Sequence, residues 1–284
     1  MATAPADSGR LGDTPDRDYS RKLQLFNAFA EPELRAAIDS LRLAPGTFVL
    51  DAGCGTGETL AWLAAAVAPD GLALGIDLST SHLREARGLL PREIPLVQAD
   101  LAHTPLTGAS LDLVWSVNTI HHLHDPTAAV RALGTLLRPG GRIALGHSSL
   151  VPDMYFAWDA RLERMATEAV HAYYRDRYGL SEQDLTAVRG LLGLLQSAGL
   201  CIVGVRTFVI ERRAPLDAHT HAWLLDGIFR GTWGERLRPY LSPADHEELT
   251  LLCDPQQPGF ALRRSDFHFL QTFTLAVGTT RAGR

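Results

Sequence analysis

The seven residues Asp51–Gly57, DAGCGTG, constrain this chain more than any other segment. They begin on the last residue of TFVLD, a short continuous apolar run of the kind buried on both faces of a sheet. An apolar, helical stretch, Thr59–Ala68, comes next. Gly53, Gly55 and Gly57 allow positive φ and let backbone approach a ligand closely. The following helix offers free N–H groups at its first turn to a polar or anionic ligand group. Such a unit fits a nucleoside-containing ligand, a dinucleotide, or a plain tight turn. The dinucleotide fingerprint Gly-x-Gly-x-x-Gly fails at its last position, which Glu58 occupies.

Beyond this turn, strands and helices alternate. Ala73–Asp77 (ALGID), Pro95–Ala99, Leu111–Ser116 (LDLVWS) and Arg142–Gly146 (RIALG) read as strands two to five. The helix after strand two is capped by Ser79 or Thr80, and Thr127–Leu137 is a helix stopped by Pro139-Gly140-Gly141. This alternation predicts an α/β chain with a doubly wound parallel sheet. Ligands in such sheets bind beyond the carboxyl ends of the strands. That rule singles out Asp51–Gly57, Asp77, Asp100, Ser116–His122 and His147, all of which follow strands. An acid at Asp77 can accept hydrogen bonds from both hydroxyls of a ribose. A helix-capping role is the plainer alternative for it, although Ser79 and Thr80 could cap instead. Upstream, Leu23, Phe26, Phe29, Leu34, Ile38 and Leu41 recur at helical spacing, and Pro32 divides them into two helices. Downstream, Asp153–Leu180 reads as a helical insertion rich in aromatic residues. Asp184–Ala198 reads as a helix ending at Gly199, Leu216–Cys253 as two or three helices, and Leu200–Ile210 and Phe267–Val277 as strands.

The 284 residues, 46% of them hydrophobic and 21% charged, provide the material for a real core. A net charge of −5 without any Lys/Arg block argues against a nucleic-acid-binding face. Cys54, Cys201 and Cys253 are far apart and odd in number, which is neither a disulfide framework nor a zinc spacing. The start of the chain has no apolar stretch and nothing reaches the length of a membrane span, so no signal peptide and no membrane segment are expected. A cytoplasmic protein follows as the expectation, with residues 1–18 a disordered tail. Abundant Ala, Leu, Arg and Gly are in keeping with a GC-rich bacterial genome.

The segments VLDAGCGTG, GIDLS, VQADLAHTPL, LDLVWSVNTIHHL and LLRPGGRIAL occur in that order over about residues 45–147. Together they resemble the Rossmann-like (class I) S-adenosylmethionine-dependent methyltransferases of the small-molecule, natural-product type. The resemblance implies a doubly wound, seven-stranded, mostly parallel sheet with its last strand antiparallel and with helical cap insertions. It places lid helices at 19–44, the cofactor-binding core at 45–150 and a helical cap insertion at 151–183. The rest of the core follows at 184–284, with a second cap at about 213–260. S-adenosylmethionine is the implied cofactor and S-adenosylhomocysteine the product.

The same resemblance implies roles residue by residue. Asp51 and the backbone of Gly53, Cys54 and Gly55 belong to the turn that contacts the methionine part of the cofactor. Asp77 holds the ribose hydroxyls, with Leu78 beside the adenine and His82 where similar enzymes often carry Met. Asp100 receives the adenine amino group, and the Leu101 amide faces a ring nitrogen. Ser116 to Asn118 lie along the methionyl moiety, and Tyr19 stands where small-molecule members carry a lid residue near the sulfonium.

Methyl transfer requires proximity, alignment and exclusion of water, with a general base where the acceptor must lose a proton. Histidine suits that base at neutral pH. His121, His122, His124 and His147 fall near the implied site, and His121, His122 and His147, with Tyr19, are the catalytic candidates. The plainer alternative is that an HHL histidine packs or caps. His103, His171, His219, His221, His246 and His268 read as surface or cap residues. His121-His122-x-His124 lacks an accompanying carboxylate–histidine pair, so no metal is expected. The aromatic residues of the flanks, among them Tyr155, Phe156, Trp158, Trp223, Phe229 and Trp233, suit either a pocket for a planar acceptor or the caps' own core. The reading is thus O- or C-methylation of a small, aromatic or largely apolar acceptor in bacterial secondary metabolism, by a monomer or homodimer. N-methylation, or a cofactor-retaining enzyme that does not methylate, is the alternative.

Overall fold

The computed structural model describes residues 14–16, 18–149, 153–155, 157–181 and 187–280. Two short helices come first, α1 (Ser20–Phe29) and α2 (Glu31–Ser40), and Pro32 in the first turn of α2 separates them as expected. There follow β1 (Phe48–Ala52), α3 (Glu58–Val67), β2 (Leu72–Asp77), α4 (Thr80–Leu89), β3 (Leu96–Gln98), β4 (Leu111–Val117), α5 (Pro126–Thr135) and β5 (Leu137–Ser148). The remainder comprises β6 (Asp153–Tyr155), α6 (Ala160–Tyr178), α7 (Ala187–Ser197), β7 (Cys201–Arg213), α8 (Ala218–Ala222), α9 (Pro243–Cys253) and β8 (His268–Thr279).

β3, β2, β1, β4 and β5 lie side by side and run parallel. β8 runs antiparallel between β5 and β7. The three-residue β6 pairs with β8 at Leu270–His268, just past the point where β5 leaves it at Phe273, so β6 prolongs the β5 side. Seven strands in the order 3-2-1-4-5-8-7 therefore form the expected sheet, with β6 as an added short piece. Both faces are covered. Leu113, Trp115, Phe273 and Leu275 pack towards α1, α2, α3 and the cap, whereas Val114, Ile143, Leu145 and Ala276 pack towards α5 and α7. Burial on both sides accounts for the unbroken apolar runs of the central strands.

Several local expectations are corrected. α5 stops at Thr135 and β5 begins already at Leu137, so Pro139-Gly140-Gly141 lies within that strand. Residues 138–141 form a bulge there, since Leu111 pairs with Leu137 but Leu113 with Arg142. The insertion after β5 opens with a strand, β6, before its helix. Residues 216–253 hold an 11-residue π-helix, Trp223–Trp233, where ordinary helices were expected. Residues 1–13 and 17 of the expected disordered tail lie outside the described residues. Its described part is docked: the Pro15 carbonyl accepts from the Thr80 amide at 3.1 Å, and Asp18 accepts from the Ser20 amide at 2.9 Å and its hydroxyl at 2.7 Å.

Candidate active site

The glycine turn has the predicted conformation. Gly53, Gly55 and Gly57 take φ of 85°, 54° and 93°, angles that side chains resist. A Cβ on Gly53 would stand 2.3 Å from the Thr119 side chain, and one on Gly55 3.0 Å from Leu23 of α1. The Gly53 and Cys54 amides donate to the Ile76 carbonyl at 2.7 and 3.0 Å, which ties the turn to β2. The Cys54 thiol faces Gly75, and burial pushes its pKa well up, so what this residue offers a ligand is backbone.

Asp77, at the end of β2, accepts from the Gly55 amide through Oδ2 and from the Ser79 amide through Oδ1, both at 2.9 Å. Ser79, whose hydroxyl accepts the His82 amide, is the cap of α4, and this frees Asp77 from the capping alternative. His82 is buried; its Nδ1 lies 3.2 Å from Asp77 Oδ1, and its Nε2 accepts from the Tyr19 amide at 3.5 Å. Asp51 is the other buried acid. Its Oδ2 has no hydrogen-bond partner, and burial, then the neighbouring Asp77 and Glu58, push its carboxyl up to about 8. A buried, unpartnered carboxyl beneath a glycine cradle fits a ligand that brings a positively charged group. The residues present thus suit S-adenosylmethionine.

Other implied cofactor residues are more dispersed. Asp100 lies past β3, half exposed, with Oδ1 on the Ala102 amide at 2.9 Å; Leu101 beside it is buried. The Leu78 carbonyl accepts from Gln98 at 3.1 Å. The Ser116 hydroxyl donates to the Ala52 carbonyl at 2.7 Å and so joins β4 to β1. Asn118, at φ 52°, links the ends of β4 and β5. Its Oδ1 accepts the Ser148 amide at 2.8 Å, and its Nδ2 donates to Ser148 Oγ at 3.3 Å.

The histidine candidates converge beyond those same strand ends. His121 and His122 occupy a 3₁₀ turn after β4, and His147 is the penultimate residue of β5. The His121 ring lies 4.1 Å from that of His122 and 4.2 Å from that of His147. Tyr19 stacks on His122 at 6.4 Å and meets His82 edge-on at 4.6 Å, so one ring lies between the base candidates and the His82–Asp77 pair. Burial and then the adjacent imidazoles hold His121 well below the ordinary histidine pKa. Burial lowers His147 to about 4 even though the Ser148 carbonyl, bonded to its Nδ1, pulls the other way. His124 is exposed. Among the described residues no group of three His, Cys, Asp or Glu side chains is placed to hold a metal ion. A cleft of about 460 Å³ lined by Arg21, Gln24, Glu58 and Trp62 opens on the face of α1 opposite Tyr19 and Leu23.

Sequence reasoning missed Ser148 and Asp18, and gave Thr119, within the flagged stretch Ser116–His122, no role of its own. Thr119 seals Gly53, Ser148 anchors His147, and Asp18 accepts the Ser20 amide at the start of α1. Asp18, two residues before a helical pattern, carried a legible capping signal, whereas the roles of Thr119 and Ser148 depend on pairing between β4 and β5.

Comparison with known proteins bears on these features together. Residues 50–145 match the family model described as a methyltransferase domain. The malonyl-[acyl-carrier protein] O-methyltransferase of Pseudescherichia vulneris is 32% identical over 198 residues, 62% of this chain and 76% of that protein. The 27-O-demethylrifamycin SV methyltransferase of Amycolatopsis mediterranei is 35% identical over 118 residues, 40% of this chain and 43% of the relative. An uncharacterized 37.1 kDa transposon protein of Streptomyces fradiae is 36% identical and is likewise spanned over only 39% of its length. The crystal structure of the Bacillus YcgJ protein superposes with a TM-score of 0.57 at 17% identity, covering 89% of this chain and 100% of that one; at that identity the likeness concerns the fold alone. With its glycine turn, its strand order and a relative matched over three quarters of its length, the chain belongs to the Rossmann-like S-adenosylmethionine-dependent methyltransferases.

Proposed function

We propose that this protein transfers a methyl group from S-adenosylmethionine to oxygen or carbon of a small, largely apolar acceptor, with an imidazole of the His121–His122–His147 cluster as general base. The observation that carries the reading is the meeting of three imidazoles at the carboxyl ends of β4 and β5, joined through Tyr19 to His82 and Asp77. The cofactor supplies an activated methyl carbon when bound. Asp51, Asp77, the Gly53–Gly55 backbone, Leu78, His82, Asp100, Leu101, Ser116 and Asn118 are assigned to holding it. Tyr19, just before α1, and Leu23 on it exclude water from the cofactor side. The histidines orient the acceptor and take its proton. Relatives named as O-methyltransferases support an oxygen acceptor, and the 27-O-demethylrifamycin SV methyltransferase of Amycolatopsis mediterranei supports a place in bacterial secondary metabolism. We assign the protein to the cytoplasm; no described helix is long and apolar enough to cross a membrane.

Isotope-labelled methyl transfer to a panel of small acceptors tests the reading. Substituting Ala for His121, His122 and His147 in turn should cut turnover at least about a hundredfold in one variant while cofactor affinity is kept. Wild-type turnover in all three would remove the histidine base.

A further inference from the structure

The outer edge of the sheet takes no part in the proposed reaction. β7 pairs with β8 on one side, and among the described residues no strand lies on its other side. Its register with β8 breaks between Ile202 and Gly204, where Val203 has no partner and forms a bulge. Towards the far end, the Glu211 carbonyl is already taken by the Arg212 guanidinium at 2.9 Å. Between these limits, residues 204–210 are regular strand, and their outward backbone groups have no hydrogen-bond partner among the described residues. Such an edge is a template for pairing with another strand.

Its side chains do little to keep another strand away. Apart from Arg206, residues 203–210 (VGVRTFVI) carry no charge, and they include no proline; charges and prolines are the usual means of blunting an edge. Val203, Val205 and Val209 are each at least half exposed, and Leu192 of α7, the helix packed against β7, is 39% exposed. Four of the eight large apolar side chains exposed among the described residues therefore lie at this one edge. A concentration of that kind marks a protein contact.

We propose that the occupant of this edge is a second copy of the chain, the two β7 strands running antiparallel about a two-fold axis at Thr207. Side chains alternate between the faces of a sheet, so such an axis brings together residues of like parity. Thr207 is the midpoint of residues 204–210, and an axis there uses the whole regular stretch. It sets Val205 against the partner's Val209, twice over by symmetry. It also sets Arg206, whose guanidinium lies 5.9 Å over the Phe208 ring of its own chain, against the partner's Phe208. Neighbouring registers fail. An axis at Arg206 opposes the two Arg206 side chains, and one at Val209 opposes Arg206 to the partner's Arg212; like charges directly opposite are destabilising. An axis at Phe208 sets Val205 against the partner's Glu211, and one at Val205 runs the pairing through the bulge. The strand is thus complementary to itself in one register, which favours a copy of the chain over a foreign strand.

Light scattering on the full-length protein across the micromolar range measures the association, and the wild type should show twice the mass of one chain. Val205→Lys combined with Val209→Lys sets like charges opposite one another at two places and should weaken the association at least about tenfold. Val205→Lys combined with Val209→Glu sets opposite charges there and should recover most of it. Both variants should keep the circular dichroism of the wild type, which separates lost pairing from lost folding. Cysteines read the register. In a Cys201→Ser background, which removes the exposed native thiol, Thr207→Cys should be joined to its copy by a short thiol crosslinker. Val205→Cys should be joined only when Val209→Cys is present as well. A monomeric wild type would leave the edge to some other protein and overturn the proposal. So would a dimer that survives the lysine pair, a Lys–Glu pair no better than the lysine pair, or crosslinking of Val205→Cys alone.

Discussion

Burial pushes the Asp51 carboxyl up to about 8, and Asp77 and Glu58 add to the shift. The folded protein therefore keeps a proton that the unfolded chain, with an ordinary carboxyl near about 4, gives up. This contribution to stability is complete at low pH and diminishes as pH rises from about 4 towards 8. A cationic ligand group favours the ionised acid, so affinity for S-adenosylmethionine should rise with pH up to about 8 and then level off. Asp51→Asn should abolish that slope in calorimetric titrations; a slope retained in the variant would show that another group causes it. His147 has the opposite sign. Lowered from 6.5 to about 4, it stays a competent base in mildly acidic buffer, so the acid limb of kcat should fall near pH 4. A limb at the ordinary histidine value would remove His147 as the base. Asp51, Asp77 and the histidines were legible in the sequence because each lies at, or a few residues beyond, the carboxyl end of a strand. The orphaned Asp51 oxygen and the neutral imidazole cluster were not, because both arise from packing between segments distant in the chain.

Among the elements, α1 is held from several sides. Arg212 of β7 places its guanidinium 4.8 Å over the Phe29 ring, donates to the Phe29 carbonyl at 2.6 Å and forms a two-pronged pair with Glu33 at 2.8 and 2.9 Å. The pair is mostly buried, with the two side chains 14% and 15% exposed. Breaking it should cost about 2 to 3 kcal/mol in Arg212→Ala, and Arg212→Lys, which keeps the charge but loses the fork, should recover less than half. Denaturant midpoints measure this; full recovery by lysine would mean that charge alone matters. Pattern and capping residues located strands one to five and the break at Pro32. The bulge at 138–141 and β6 escaped because each depends on its partner strand. The π-helix escaped because its apolar spacing resembles that of an ordinary helix.

At the scale of the whole molecule, α1, the sheet and the π-helix share one hydrophobic cluster. Trp223 of the π-helix sits 5.2 Å from Phe26 and 5.9 Å from Phe29 on α1, and Phe29 meets Phe269 of β8 at 5.5 Å. Trp223→Ala should destabilise the protein by about 3 to 5 kcal/mol and speed proteolytic cleavage of α1. A loss below about 1 kcal/mol would show that α1 and the π-helix stand independently. Cleavage of α1 that speeds up only on global unfolding would show the same. The flanks resisted sequence reading because their helices are set by packing against the core, while the central motifs carry turn and strand signals of their own. That cofactor assignment is most directly tested by calorimetric titration of S-adenosylmethionine into wild-type protein and Asp77→Ala. The account predicts binding to the wild type and a loss of more than about tenfold in the variant, since a carboxylate accepting two ribose hydroxyls is worth at least that. Equal affinity in the two proteins would contradict it.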